Sequence, residues 1–185
     1  MEDHEIVALF WARSEEAIRQ ASNKYGRYCR YIAEGILHSR EDSEECVNDA
    51  LLQAWRTIPP HRPERLAVFL GKITRNLSLN RWERERAQKR GGGEVSLALE
   101  ELQDCLPAPN SGQLVEDLAL SEACNRFLAA LPAEASKIFL RRYWYFSPVK
   151  EIAADYGLSE SKVKMSLLRS RKKLKRWLEK EGIDL

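Results

Sequence analysis

The stretch EIAADYGLSESKVKMSLLRSRKKLKRW, Glu151–Trp177, decides the reading of the chain. Ile152 and Ala153 suit the buried side of a short helix, and Ala153 is small enough for a second helix to cross closely. Gly157 follows four residues after Ala153. Glycine takes a positive φ most easily, so a turn belongs there. Ser159 is placed to cap a second helix, and Glu160 favours that helix's positive end. Val163, Leu167, Leu174 and Leu178 then recur as a buried stripe. Lys162, Met165, Ser166 and Arg169 follow on the opposite face, with Lys164 beside them. The pattern is that of a helix-turn-helix.

From Lys162 to Lys180 the chain carries nine cations and a single acid, Glu179. In a helix-turn-helix the second helix enters the major groove with its N-terminal residues against base edges. Ser159, Ser161, Lys162, Lys164, Met165 and Arg169 are the candidates for that contact. Arg171 and Lys172 are assigned to phosphates, which supply affinity and register rather than sequence choice. A solvated basic helix is the plain alternative. The coincidence of the cations with a complete turn motif favours DNA.

Outward from this segment the sequence reads as all-α. Alternating Val, Ile and Thr are scarce and no Asn-Gly hairpin occurs. A helix is predicted from Ser14, as cap, to about Leu37, burying Ala17, Ala21, Tyr25, Tyr28, Ile32 and Ile36. A second starts near Asp42 or Ser43 and runs to about Thr57 on a face of Cys46, Val47, Ala50, Leu51, Ala54 and Trp55. Pro59, Pro60 and Pro63 follow it, and proline cannot continue a helix. A third runs from about Glu64 to Lys89, with Leu66, Phe69, Leu70, Ile73 and Leu77 inside, and Gly91–Gly93 stop it.

These helices form one bundle over residues 1–90. Residues 91–113 read as a flexible acidic linker with one helical turn around Leu97–Leu102. Residues 114–185 form a second helical domain that contains the helix-turn-helix. Its predicted core is Leu118, Leu120, Phe127, Leu128, Leu131, Ile138, Phe139, Leu140 and Tyr143. Pro132 suits a helix start, and Ser147-Pro148 marks a break.

The net charge of +2 over 185 residues conceals a sorted pattern. Gly91 to Asn125 holds seven acids and no lysine or arginine, while both flanks are basic. No apolar run approaches the roughly 18 residues of a membrane span, and the acidic start does not resemble a signal peptide. The expected location is the cytoplasm. Cys29, Cys46, Cys105 and Cys124 form no CxxC pair and are not grouped with His4, His38 or His61, so neither a metal site nor a disulfide framework is expected. There is no Gly-rich phosphate loop and no nucleophile–base pairing, so no enzyme activity or cofactor is expected.

The first half narrows the choice. REDSEECVNDALLQAWRTIP, Arg40–Pro59, resembles region 2.2 of bacterial sigma factors, above all the extracytoplasmic-function (ECF) group of the sigma-70 family. Asn48 and Asp49 stand where that family usually has Gln and Glu, one methylene longer. LAVFLGKITRNLSLNRWERERAQKR, Leu66–Arg90, resembles regions 2.3 and 2.4 through Arg75-Asn76 and the basic helix end, with Asn80 where Asp is common. Leu131–Leu174 resembles region 4, with Leu-Pro, the Glu-Ile-Ala triplet and the Arg-x-Arg-Lys-Lys-Leu end. The order and spacing of these degenerate motifs on one chain is the specific signal.

The resemblance implies a sigma factor that binds core RNA polymerase and directs initiation at chosen promoters. Glu44, Glu45, Asn48, Asp49, Gln53 and Trp55 would contact the clamp helices of the largest polymerase subunit. Trp55 is read either as an interface anchor or as bundle core, and the acids either as contacts or as a solvated face. Lys72, Arg75, Asn76, Asn80, Arg81 and Arg84 would hold the melted −10 element, with Trp82 stacking or packing. The C-terminal helix would read the −35 element as duplex. An anti-sigma protein is a further partner the family often has. The rival reading is a DNA-binding regulator that works without polymerase, its first bundle serving dimerisation or sensing. The basic helix end after Lys72 argues against it, because a sensing bundle has no need of one.

Overall fold

The computed structural model describes residues 1–88, 93–103, 105–106 and 114–182, the side chains of 86–88 and 114–119 excepted. All regular structure among the described residues is helical. The chain divides into two units, Met1–Gly91 and Gly92–Leu185.

The first unit holds α1 (Asp3–Trp11), α2 (Glu16–Leu37), α3 (Arg40–Thr57) and α4 (Leu66–Gln88). Ala17 and Ala21 of α2 are buried, as expected, in one cluster with Val47, Leu51 and Ala54 of α3 and Leu66 and Leu70 of α4, and Ile32, Ile36 and Ala50 are buried as well. Small residues dominate α2's inner side, so its neighbours approach closely. One close approach falls at Gly71 of α4, against Tyr28 of α2. A Cβ there would stand 2.7 Å from Tyr28 Oη and 3.0 Å from its ring.

Helix α1 was not expected. Its run DHEIVALFW has almost unbroken apolar character after Glu5, so no amphipathic stripe announces it. Ile6, Val7 and Phe10 are nevertheless fully buried. Asp3 fixes it in place. Its carboxylate accepts from the Leu66 N–H at 3.0 Å and from Lys24 Nζ at 2.9 Å, and the Tyr25 hydroxyl donates to it. One acid on α1 thereby satisfies a free N–H at the start of α4.

One cap and one helix start differ from expectation. Ser14 does not cap α2 through its side chain; its backbone carbonyl accepts from Ala17 N at 2.9 Å, and Glu15 takes the cap position. Helix α3 begins earlier than Asp42, because the Ser39 hydroxyl accepts from Asp42 N at 3.3 Å. Ser43 lies inside the helix and donates to the Ser39 carbonyl at 2.6 Å.

The second unit holds α5 (Glu94–Gln103), α6 (Leu114–Ala130), α7 (Ala133–Tyr143), α8 (Val149–Tyr156) and α9 (Glu160–Lys180). Val163, Leu167, Leu174 and Leu178 of α9 are all buried. Around them pack Phe127 of α6, Ile138, Phe139 and Tyr143 of α7, and Ile152 of α8. Leu140, expected in this core, is instead exposed at 36%. It follows Phe139 by 100° of helix turn, which carries it past the edge of the buried side.

Helix α5 replaces a stretch expected to be a spacer with a single turn. It forms a helix of ten residues whose Val95 and Ala98 are buried, followed by buried Cys105. Pro107, Pro109, Asn110, Ser111 and Gly112, read as linker, lie outside the described residues. No helix among the described residues is long and apolar enough to cross a membrane.

Candidate nucleic-acid interface

Helix α8 ends at Gly157, which sits at φ 62°, and the Leu158 N–H returns to the Ala153 carbonyl at 2.9 Å. The left-handed residue satisfies carbonyls that a helix end otherwise leaves open. Ser159 then accepts from Lys162 N at 3.2 Å and starts α9, with Glu160 in its first turn. The turn therefore rests on the residues that suggested it.

Of the assigned α9 residues, Ser159, Ser161, Lys162, Lys164, Met165, Arg169 and Lys172 are exposed. Met165, at 47% exposure, offers an apolar surface among the cations. Lys162 pairs with Glu134 at 3.3 Å and Lys164 with Glu160 at 3.7 Å. Exposed pairs of this kind are weak, so either lysine is available to a phosphate or a base.

Arg171 is placed differently. Its side chain is 19% exposed and donates to Glu101 of α5 at 2.9 Å and to the Tyr143 hydroxyl. Its neighbour Lys172 faces solvent. Residue 171 is four past Leu167 and three before Leu174, so helical spacing alone sets it beside the buried stripe. That signal was present in the sequence and was outweighed by the run of cations.

On α4, Lys72, Asn76, Asn80 and Arg84 are exposed and recur every four residues, so they form one slowly winding polar row. Arg75 stands off that row and is half-buried. Burial lowers its guanidinium to about 10, which leaves it a cation at neutral pH. Trp82 is likewise half-buried. Arg81 is drawn towards α3, where it pairs with Asp42 and, at 2.6 Å, with Glu45.

On α3, Glu45, Asn48, Asp49 and Gln53 are exposed. Glu44 is half-buried and pairs with Arg40 at 3.3 Å and Arg30 at 3.9 Å. Trp55 is half-buried against Phe10, ring centroids 6.3 Å apart, and the Arg13 guanidinium lies 5.3 Å above its ring. A groove beside it is lined by Ile18, Asn48, Leu51, Leu52 and Trp55. Leu52 is 42% exposed there, an apolar feature absent from the residues assigned by sequence. It falls four past Asn48 and three before Trp55, so the spacing could have found it.

The elements thus carry an acid and amide face on α3, a polar row on α4 and a basic face on α9. The profile of the family described as ECF sigma factor matches residues 39–180. The chain is 28% identical over 141 residues to a protein named probable RNA polymerase sigma factor RfaY, from Xanthomonas campestris pv. campestris. That match covers 76% of this chain and 35% of the relative. It is 25% identical over 172 residues to the ECF RNA polymerase sigma factor SigE of Mycolicibacterium smegmatis, covering 92% of this chain and 63% of the relative. The chain therefore spans between about one third and two thirds of the length of these curated relatives. The family match takes in α3, α4 and the whole second unit short of its last residues, and by it this chain belongs to the ECF sigma factor family.

Proposed function

We propose that the protein binds core RNA polymerase and directs it to promoters, acting in the cytoplasm and without catalysis of its own. The α3 face, with Glu45, Asn48, Asp49, Gln53 and the exposed edge of Trp55, docks on a basic surface of the polymerase clamp. The polar row of α4, with Lys72, Asn76, Asn80 and Arg84, holds the melted −10 strand. The first turns of α9 read the −35 duplex. An anti-sigma protein that covers either surface would hold the chain inactive.

The observation that carries this reading is the exposed order of the three faces along one chain of the family. A DNA-binding regulator uses one such face. Three on one chain suit simultaneous contact with polymerase and two promoter elements. Each contact is modest alone, and tethering makes the second and third intramolecular.

The deciding experiment adds the purified protein to core polymerase from its host and maps transcripts from fragmented host DNA. New discrete start sites with two shared upstream elements are expected. Tight, specific DNA binding by the free protein without new transcripts would overturn this reading in favour of the polymerase-independent regulator.

A further inference from the structure

Glu94 and Glu101 stand seven residues apart on α5, two turns on the same side. Both reach α7. Arg142 is 2% exposed and donates to Glu94 at 2.6 Å, to Glu101 at 2.7 Å and to the Ser147 carbonyl at 3.3 Å. The second oxygen of Glu101 accepts from the Tyr143 hydroxyl at 2.7 Å and from Arg171 at 2.9 Å. Arg142 keeps Glu94 and a carbonyl without Glu101. Among the described residues, Glu101 is the one carboxylate paired with Arg171.

On α9, Arg171 lies at the margin of the buried stripe. Helical geometry sets it within one side of the cylinder shared with exposed Lys164, Leu168 and Lys175. Arg171 thus flanks the basic face beside two exposed lysines, on the far side of the helix from Lys162. A carboxylate and a phosphate offer a guanidinium the same two-oxygen geometry.

Apart from its ion pairs to Arg142, the seat of α5 is slight. Its buried side chains are small, Val95, Ser96 and Ala98, and Leu97 is half exposed. A helix of ten residues is marginal by itself. A short element with little buried apolar surface is the kind that opens first.

We propose that α5 is a retractable cover on the duplex-binding surface of the second unit, with Glu101 occupying Arg171 in place of a DNA phosphate. The proposal rests on the reading of α9 as a duplex-binding helix. Glu101 and phosphate compete for Arg171, so the covered form binds duplex with one cation fewer. The uncovered form gains that contact and frees α5.

The test uses the full chain and a mixed-sequence duplex, with binding followed by fluorescence anisotropy across a salt series. Lys172→Ala first establishes whether α9 is the duplex face. Lost affinity upholds that reading, and unchanged affinity overturns it together with the cover. Given a loss, Glu101→Gln should bind about threefold more tightly at low salt and steepen the log–log salt slope by about 0.9, as one added phosphate contact requires. That gain should vanish in an Arg171→Ala background. A Glu101→Gln protein that binds no better, or gains equally without Arg171, overturns the cover. Hydrogen exchange on the unaltered chain decides the matter without any variant, should Glu101→Gln fail to fold. Amides of residues 94–103 should exchange faster when duplex saturates the protein, and unchanged or slower exchange overturns the proposal.

Discussion

Arg81 on α4 donates to Glu45 on α3 at 2.6 Å, across 36 residues of sequence. The sequence reading gave these two residues to different partners, Arg81 to DNA and Glu45 to polymerase. In the free chain they hold each other. Hydrogen bonds to Glu45, ahead of the opposing effect of burial, raise the Arg81 guanidinium above its ordinary value. A polymerase cation that engages Glu45 would leave Arg81 with Asp42 and Glu85 and freer to turn towards DNA.

This pairing predicts a coupling that can be measured. Glu45→Gln and Arg81→Gln should each lower the stability of the first unit slightly. Their double-mutant cycle should return about 0.5–1 kcal/mol, because Glu45 is largely exposed. Urea unfolding of the four proteins supplies the numbers. A coupling of zero would show that the two side chains are independent in solution.

Gly71 carries the second prediction. Alanine is the better helix former by about 1 kcal/mol, yet its Cβ would stand 2.7 Å from the Tyr28 hydroxyl, closer than real contacts allow. The steric term wins, since overpacking costs about 1–3 kcal/mol. Gly71→Ala should lower the melting temperature. The added Tyr28→Phe change, which removes the nearest atom, should shrink the cost of the alanine. Equal costs in both backgrounds would place the strain elsewhere.

Acid should act on the second unit through Glu101. Burial pushes its carboxyl up, but hydrogen bonds from Arg142 and Tyr143 and the nearby Arg171 charge outweigh this and hold it below the ordinary 4.5. A carboxylate depressed on folding contributes stability above its unfolded pKa, and that stability fades as pH falls through the folded one. The urea midpoint of the second unit should therefore drop below about pH 4.5. Glu101→Gln should show a lower midpoint at pH 7 and a flatter acid response. An identical pH profile in the variant would remove Glu101 as a source of acid sensitivity.

Along α9, neighbouring cations should behave differently. Lys164→Ala and Arg169→Ala should alter which promoters are used, by about 1–3 kcal/mol of discrimination for a base contact. Lys172→Ala should weaken all promoters about equally and flatten the salt slope by about 0.9. Transcript mapping with each variant separates the two patterns. Uniform loss in all three would mean that none of them faces a base.

The turn at Gly157, the α9 stripe and the inner faces of α2, α3 and α4 were legible because each rests on local spacing. Glycine, a capping serine and apolar residues three and four apart state their own geometry. Helix α1 was not legible, since its burial depends on Asp3 meeting α2 and the start of α4, residues distant in sequence. Helix α5 was hidden for a related reason. Its acids look like a solvated spacer until Arg142, Tyr143 and Arg171 supply partners. The assigned interface residues were mostly found on exposed faces. Arg171 departs from that by a helical spacing the run of cations outweighed, and Arg81 because its partners on α3 cannot be read from its own helix.

The hold of Asp3 on α4 reaches beyond α1. The family profile starts at residue 39, inside the first unit and between the two ends of the Asp3–Leu66 clasp. Cutting the chain there would strip α1 and α2 from the bundle and lay bare Val47, Leu51, Leu66 and Leu70, which are now dry. The recognisable portion of the first unit is thus not a portable one. Minimal versions made for engineered transcription circuits should keep the opening residues, and a bulky tag placed directly before Met1, whose carbonyl accepts from Lys24 at 2.9 Å, would press on the same clasp.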